Sequence, residues 1–303
     1  MKMDQVTPRQ REILSEDQAA FYDEKGYLVL ENHLGESMVD AIRAEIARLE
    51  SQAAGMTQSN DRIDLEDSHT PDNPRVRRIK LPHMQSPLFN DLLRSDAILG
   101  PVRDLIGPDL RLHTTKLNMK LAGFGAAIEW HQDFAFYPHT NDDVLAVAVI
   151  IDDMKLENGP LMVCPGSHRG PILDHHRNGV FAGGIDMKGA NLDIADAVPL
   201  TGPAGSISIH HARIIHGSAQ NTSDISRRLM FFEIMAADAF PVMGAMTRFE
   251  DIASYDDLML CGTPTLSPRL ADVPVRIPQP QPDSNRSIYE IQKNLGQSGF
   301  DAG

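Results

Sequence analysis

The pattern of apolar and polar positions changes character near residue 110. Before that point it reads as helices with short strands between them. Ser15-Glu16-Asp17-Gln18 is a helix start, with Ser15 as the cap and two carboxylates in the positive first turn. This helix carries Ala20, Phe21 and Tyr22 and stops at Gly26, and Tyr27 to Leu30 follows as a strand. Residues 36–50 set Met38, Ile42, Ile46 and Leu49 at helical spacing, which predicts an amphipathic helix. Residues 51–75 are polar, hold Gly55, Pro71 and Pro74, and read as a loop. Arg75 to Leu81 alternates as a strand, and two short helices are expected over 87–95 and 97–106.

From 110 onward the apolar runs are short and β-like: Leu110–Leu121, Leu145–Ile151, Leu161–Cys164, Ser206–Ile215 and Leu229–Met235. Turn signals such as Pro165-Gly166 and Gly202-Pro-Ala-Gly205 separate them, the pattern of a sandwich or barrel. Segment 171–200 is rich in Gly and Asp without a period. It is read as a loop covering a site, or else as an excursion packed on the N-terminal helices. Beyond 262 lie Pro264, Pro268, Pro274, Pro278, Pro280 and Pro282, which predict an extended wrap and no further domain. The expected organisation is one domain over 1–303, with a flank over 1–109, a β core over 110–240 and an extension over 241–303.

Composition narrows the function. Apolar residues are 42% and charged residues 23% of the chain, ordinary globular usage. The net charge of −14 repels phosphate backbones and anionic lipid, so neither nucleic acid nor a membrane is an expected partner. No apolar run reaches the roughly 18 residues of a membrane span, and the first residues lack the apolar core of a signal peptide. Cys164 and Cys261 make no disulfide framework, so a cytoplasmic protein is expected. The expected partner is a small-molecule substrate, with a homo-oligomer compatible with these features.

The chemistry concentrates in Glu129-Trp-His-Gln-Asp-Phe-Ala-Phe136. In a strand, His131 and Asp133 project from one face. Two ligands cannot complete a metal's protein shell, and His216, at the end of the strand Ser206–Ile215, is the candidate third. Two His and one carboxylate make the facial triad of non-haem iron, which leaves positions open for an oxoacid and O2. Arg227 follows His216 by eleven residues, enough for a turn and a returning strand that brings a guanidinium near the metal. Arg binds a carboxylate through two parallel hydrogen bonds, and Ser218 can add a hydroxyl. Arg228 competes for the inward position. Phe134 and Phe136 are an apolar substrate wall or plain core; His139 stands at the entrance or simply at the surface. His175, His176, His210 and His211 are solvated or support the ligands from behind.

FYDEKGYLVLENHL, the WHQD box, ENGPLMVCPGSHRG and the stretch from IIHGSAQN to Arg227 occur in that order over about residues 21–235. With these four pieces the chain resembles the phytanoyl-CoA dioxygenase family of Fe(II)/2-oxoglutarate oxygenases. The resemblance implies a mainly β fold with flanking helices and a double-stranded β-helix (jelly-roll, cupin-like) core. It implies that His131, Asp133 and His216 hold Fe(II) and that Arg227 binds the distal carboxylate of 2-oxoglutarate. Further cosubstrate contacts fall on Lys116, Asn118 and Arg78. The implied reaction consumes O2 and 2-oxoglutarate, releases succinate and CO2, and hydroxylates or otherwise oxidises a C–H bond of a small molecule. Asp133 fills the position that a halide takes in halogenating relatives, which favours hydroxylation. The alternative is a jelly-roll metalloprotein that is no oxygenase: a cupin-like isomerase or a binding module. Arg227 with Ser218 argues against it, because such a protein needs no carboxylate clamp beside its metal.

Overall fold

The computed structural model describes residues 11–123, 125–187, 189–190, 192–243, 251–282, 287–295 and 299–300. Its N-terminal part contains α1 (Glu16–Lys25), β1 (Tyr27–Leu30), α2 (Glu36–Glu50), β2 (Ile63–Leu65), β3 (Val76–Lys80), α3 (Pro82–Gln85), α4 (Pro87–Leu93) and α5 (Asp96–Ile106). The caps of α1 are those the sequence predicts: Ser15 and Gln18 form a reciprocal capping box, and Gly26 ends the helix at φ 80. Helix α2 spans the predicted residues and buries Val39, Ile42, Ile46 and Leu49.

The strands of the middle part are β4 (Leu110–Lys120), β5 (Ile128–His131), β6 (Val144–Ile150), β7 (Leu161–Val163), β8 (His176–Arg177), β9 (Val180–Phe181), β10 (Val198–Leu200), β11 (Ile207–His211), β12 (His216–Ser218) and β13 (Arg227–Ala236). After them come α6 (Ile252–Asp256), β14 (Met259–Cys261) and α7 (Ile288–Gln292). The larger sheet runs β1-β11-β6-β13-β4-β3-β2, with β14 added to β4, and the smaller runs β10-β7-β12-β5. All named pairings are antiparallel. The flank and the extension therefore both contribute strands to the core sheet.

The two faces of the larger sheet have different chemistry. Helices α2, α4 and α5 bury Ile42, Ile46, Phe89 and Val102 in one cluster with Leu117, Val147, Ile209 and Phe232. The opposite face of β6 presents Ala146 and Ala148, small side chains that leave room between the sheets. Along β13, Met230, Phe232 and Ile234 join the helices, while Arg227, Leu229, Phe231 and Glu233 share the other face. Strand β4 answers with Thr114, Lys116, Asn118 and Lys120 opposite Glu233, Phe231, Leu229 and Arg227. A bulge at His113 changes the parity of β4, so Leu112 packs with the helices and Thr114 with the inner face.

Several expected elements differ. Ser206–Ile215 is not one strand: β11 ends at His211, a turn follows, and His216 opens β12. The expected loop over 51–75 contains β2, which pairs with β3. Segment 171–200 contains the β8–β9 hairpin and β10. Its hairpin region packs on the C-terminal residues and on β5, not on the N-terminal helices: Phe181 N donates to Pro280 O at 2.9 Å and Ile185 N to Trp130 O at 2.8 Å. The extension carries α6, β14 and α7, and so is more than an extended wrap.

Candidate active site

A cavity of about 420 Å³ lies between the sheets. The smaller sheet contributes His131, His216 and Ser218, and the larger contributes Lys116, Asn118, His210, Phe231 and Glu233. His131 is the last residue of β5, and Asp133 begins a 3-10 turn, so the two do not sit on one strand as expected. The turn still brings them together: His131 Nε2 is 3.7 Å from Asp133 Oδ1. His216 pairs in register with His131 across β12 and β5, and its Nε2 is 3.8 Å from the same oxygen. One ligand atom from each of the three residues lies within 4.8 Å of the others.

Local hydrogen bonds orient these ligands. His131 Nδ1 meets Glu129 O at 2.7 Å and His216 Nδ1 meets Ile214 O at 3.0 Å. Each contact places the ring proton on Nδ1 and leaves the Nε2 lone pair toward the common point. Gln132, between the two ligands, is fully buried and turns away from the cavity. Its amide donates to Pro171 O and Arg213 O, its carbonyl accepts from Leu173 N, and its own N–H donates to His175 Nε2. His175 and His210 are buried beside the ligands, with His210 Nε2 3.5 Å from Asp133 Oδ2.

Electrostatics agree with this geometry. Burial holds His131 well below its ordinary pKa and pushes His216 down to about 4, so both imidazoles are neutral near pH 7. Asp133 is held well below the usual carboxylate range. Burial opposes its charge, but His216, Lys116 and a contact with His210 outweigh it. Two neutral imidazoles and one carboxylate fit a divalent iron better than a bare cluster of acids.

A second group lies beside Ser218, two residues along β12 from His216. Arg227 is buried and faces Lys120 across β13 and β4. Arg227 Nε and Nη2 donate to Gly159 O at 3.1 and 2.8 Å. Gly159 has φ 72, and a Cβ there would fall 2.5 Å from Ala219 O, so a side chain would displace the acceptor. Lys120 Nζ donates to Ser218 Oγ at 2.8 Å, to Ser218 O and to Ala219 O. Burial pushes Arg227 down to about 10, and burial with the Arg227 charge holds Lys120 well below its ordinary value. Among the described residues no carboxylate stands within ion-pair distance of either cation. Buried cations without a counter-charge are costly, and a carboxylate from a ligand removes that cost. Arg228 points outward and pairs with Asp152 at 2.6 Å.

Of the other expected residues, Asn118, Lys116, Arg78, Ser218 and Phe136 line the cavity. Two do not. Phe134 is fully buried with Ala135, Tyr137 and Met235, a core position. His139 is fully buried too, away from any entrance, with Nδ1 on Tyr137 O at 2.7 Å and its ring against His113. Spacing alone missed Lys120, which donates to Ser218, and the lining residues Glu233, Tyr137, Ser287, Ile288 and Ile291, the last three of which close one side of the cavity. Lys120 shares a face with Lys116 and Asn118 by simple alternation, and Glu233 shares one with Arg227. The C-terminal residues carry no sequence signal, because they reach the site from 71 to 75 residues beyond His216.

The phytanoyl-CoA dioxygenase family model matches residues 22–229. A probable alpha-ketoglutarate-dependent hypophosphite dioxygenase of Stutzerimonas stutzeri is 34% identical over 94% of this chain and 99% of its own length. The ectoine dioxygenase of Bordetella parapertussis is 30% identical over 72% of this chain and 74% of its own. The chain belongs to the phytanoyl-CoA dioxygenase family. It is therefore a Fe(II)/2-oxoglutarate-dependent oxygenase with O2 as co-substrate, and the non-oxygenase alternative is set aside. The fold agrees: EctD from S. alaskensis with 2-oxoglutarate and 5-hydroxyectoine superposes with a TM-score of 0.65 at 24% identity, over 91% of this chain and 90% of that one. Among the described residues no helix is long and apolar enough to cross a membrane.

One pH dependence follows from the buried imidazoles. Burial pushes His83, His175 and His216 down to about 4, and His139 and His211 to about 3. The unfolded chain, with His near 6.5, takes up these protons first, so this contribution to stability is whole above pH 6.5 and is lost as pH falls toward 4. The Tm of the metal-free protein should be level above about pH 7 and fall steeply below 6.5. A level Tm across that window would contradict the neutral assignment.

Proposed function

We propose that this oxygenase oxidises a small, charged molecule, with His131, Asp133 and His216 holding Fe(II) and with Arg227, Lys120, Ser218 and Asn118 receiving the distal carboxylate of 2-oxoglutarate. The observation that carries this reading is a three-ligand cluster in the cavity wall with a buried Arg227–Lys120 rung behind it, joined to the cavity through Ser218, which accepts from Lys120. At about 420 Å³ the cavity suits a small substrate beside the cosubstrate. The relatives named for hypophosphite, ectoine and L-proline point to the same size class. The two free cysteines suit the reducing cytoplasm as its compartment.

Bound Fe(II), with 2-oxoglutarate and O2, supplies an oxidising equivalent that places one oxygen atom in the substrate as 2-oxoglutarate leaves as succinate and CO2. The chain supplies position and enclosure. The carbonyls of Glu129 and Ile214 fix the two imidazole planes, and Gln132 ties the turn between the ligands to residues 171–173 and 213. The Arg227 fork fixes one end of the cosubstrate, so its keto acid end meets the ligands in one orientation. Phe136, Ile288 and Ile291 give the cavity an apolar side that keeps water from the reacting atoms. The test is succinate formation, followed by mass spectrometry, with Fe(II), 2-oxoglutarate and each of hypophosphite, ectoine and L-proline. Stimulation by at least one small charged compound is expected. Stimulation by large apolar compounds alone would overturn the size and charge assignment.

A further inference from the structure

The inner-face alternation that brings Arg227 to Lys120 also brings Glu233 and Lys116 together, in a part of the cavity that the cosubstrate clamp does not use. Lys116 Nζ lies 2.5 Å from Glu233 Oε1, and the Glu233 side chain is 2% exposed. Lys116 pairs with Phe231, four residues along β13 from Arg227, or roughly 13 Å at the usual strand rise. Asn118 stands on the rung between them. A carboxylate held at Arg227 is thus remote from the Lys116 ammonium.

An ion pair with a buried carboxylate and a half-buried ammonium is a poor way to stabilise a strand. Apolar residues of similar volume do as well or better there, so its presence calls for another reason. This pair faces a cavity and not a packed core. An ammonium has three donors, and Glu233 is its ion-pair partner. Burial opposes the charge on Lys116, but Glu233 and Asp133 outweigh it and hold its pKa above the ordinary value, so the donors stay charged. Thr114, Thr115 and Tyr137 line the same region. Arg78 and Lys80 also line the cavity, and both lean on Asp64. In a chain of net charge −14, Arg78, Lys80 and Lys116 offset Asp61, Asp133 and Glu233 on the cavity wall, so the wall is less acidic than the chain at large.

We propose that Lys116 binds an anionic group of the substrate, that the substrate is a small oxyanion, and that Glu233 is a positioning residue holding the ammonium toward it. This rests on the oxygenase reading above and assigns Lys116 to the substrate and not to 2-oxoglutarate.

The test uses the anaerobic complex of the full chain with Fe(II) and 2-oxoglutarate, titrated with sodium hypophosphite or phosphite while its weak visible charge-transfer band is followed. Ectoine and L-proline serve as zwitterionic probes. The double variant Lys116→Met/Glu233→Leu removes both charges without leaving either one buried alone, and Lys116→Arg keeps the cation. Either oxyanion should perturb the wild-type band. The double variant should bind it about tenfold or more weakly, as expected for one lost charge-assisted hydrogen bond, with 2-oxoglutarate affinity within about twofold of wild type. Lys116→Arg should recover part of the loss. The proposal is overturned if neither oxyanion perturbs the band, if only the zwitterions do, or if the double variant loses 2-oxoglutarate instead. Absence of the band with Fe(II) and 2-oxoglutarate alone would instead overturn the oxygenase reading beneath it.

Discussion

His216→Ala should abolish iron-dependent succinate formation, to below about a hundredth of wild type, while the circular dichroism and the unfolding midpoint of the metal-free chain change little. The reason lies in where His216 stands. It opens β12 in register with His131, with ring centroids 4.1 Å apart, and lies outside the apolar clusters that hold the sheets together. Its backbone pairing with β5 and β7 does not need the ring. Removing the imidazole leaves two of three ligands, a larger loss than the ten- to hundredfold typical of disturbing a group that merely orients a ligand. Iron content after dialysis, measured beside activity, separates loss of the metal from loss of turnover. Full activity in this variant would remove His216 from the metal site.

Arg227→Lys should raise the KM for 2-oxoglutarate by one to two orders of magnitude, on the basis of about 1.5–3 kcal/mol for a hydrogen bond to a charged group. Lysine offers a point charge in place of a planar fork. It would also set a second ammonium against Lys120, which already sits well below its ordinary pKa through burial and the charge of Arg227. The neighbour is the control. Arg228 binds Asp152 through Nε and Nη2 on the opposite side of β13, so Arg228→Lys should leave the 2-oxoglutarate KM near wild type. Steady-state kinetics with varied 2-oxoglutarate distinguish the two. A large effect at 228 and none at 227 would reverse the assignment.

Legibility in the sequence followed the range of the interactions involved. Helices α1 and α2 were readable because caps and apolar spacing are local: Ser15, Gln18 and Gly26 act within a turn of their own residues. The alternation along β4 and β13 was readable for the same reason, and it separates Lys116 and Asn118 from Leu117 and Met119. The HxD spacing identified two ligands by a geometry that the fold replaces with a tight turn. A 3-10 turn after a strand end also brings residues i and i+2 together, so spacing could not tell the two apart. Phe134 and Phe136 could not be told apart because residues on either side of a turn diverge: Phe136 meets the cavity and Phe134 enters the core. The C-terminal wall was not legible at all. Ile288 and Ile291 reach the site through contacts remote in sequence, such as Gln292 Oε1 accepting from Glu129 N at 2.9 Å and Gln292 Nε2 donating to Gly183 O at 2.7 Å.

On the proposed assignment, one metal triad and one buried cationic rung form a single centre for Fe(II) and 2-oxoglutarate. An anaerobic titration of the protein with both, read in the visible, tests it most directly. A weak charge-transfer band is expected that saturates at one iron and one 2-oxoglutarate per chain, disappears in His216→Ala, and needs far more 2-oxoglutarate in Arg227→Lys. A wild-type protein that binds 2-oxoglutarate equally well without iron, or a band unchanged by His216→Ala, would contradict it.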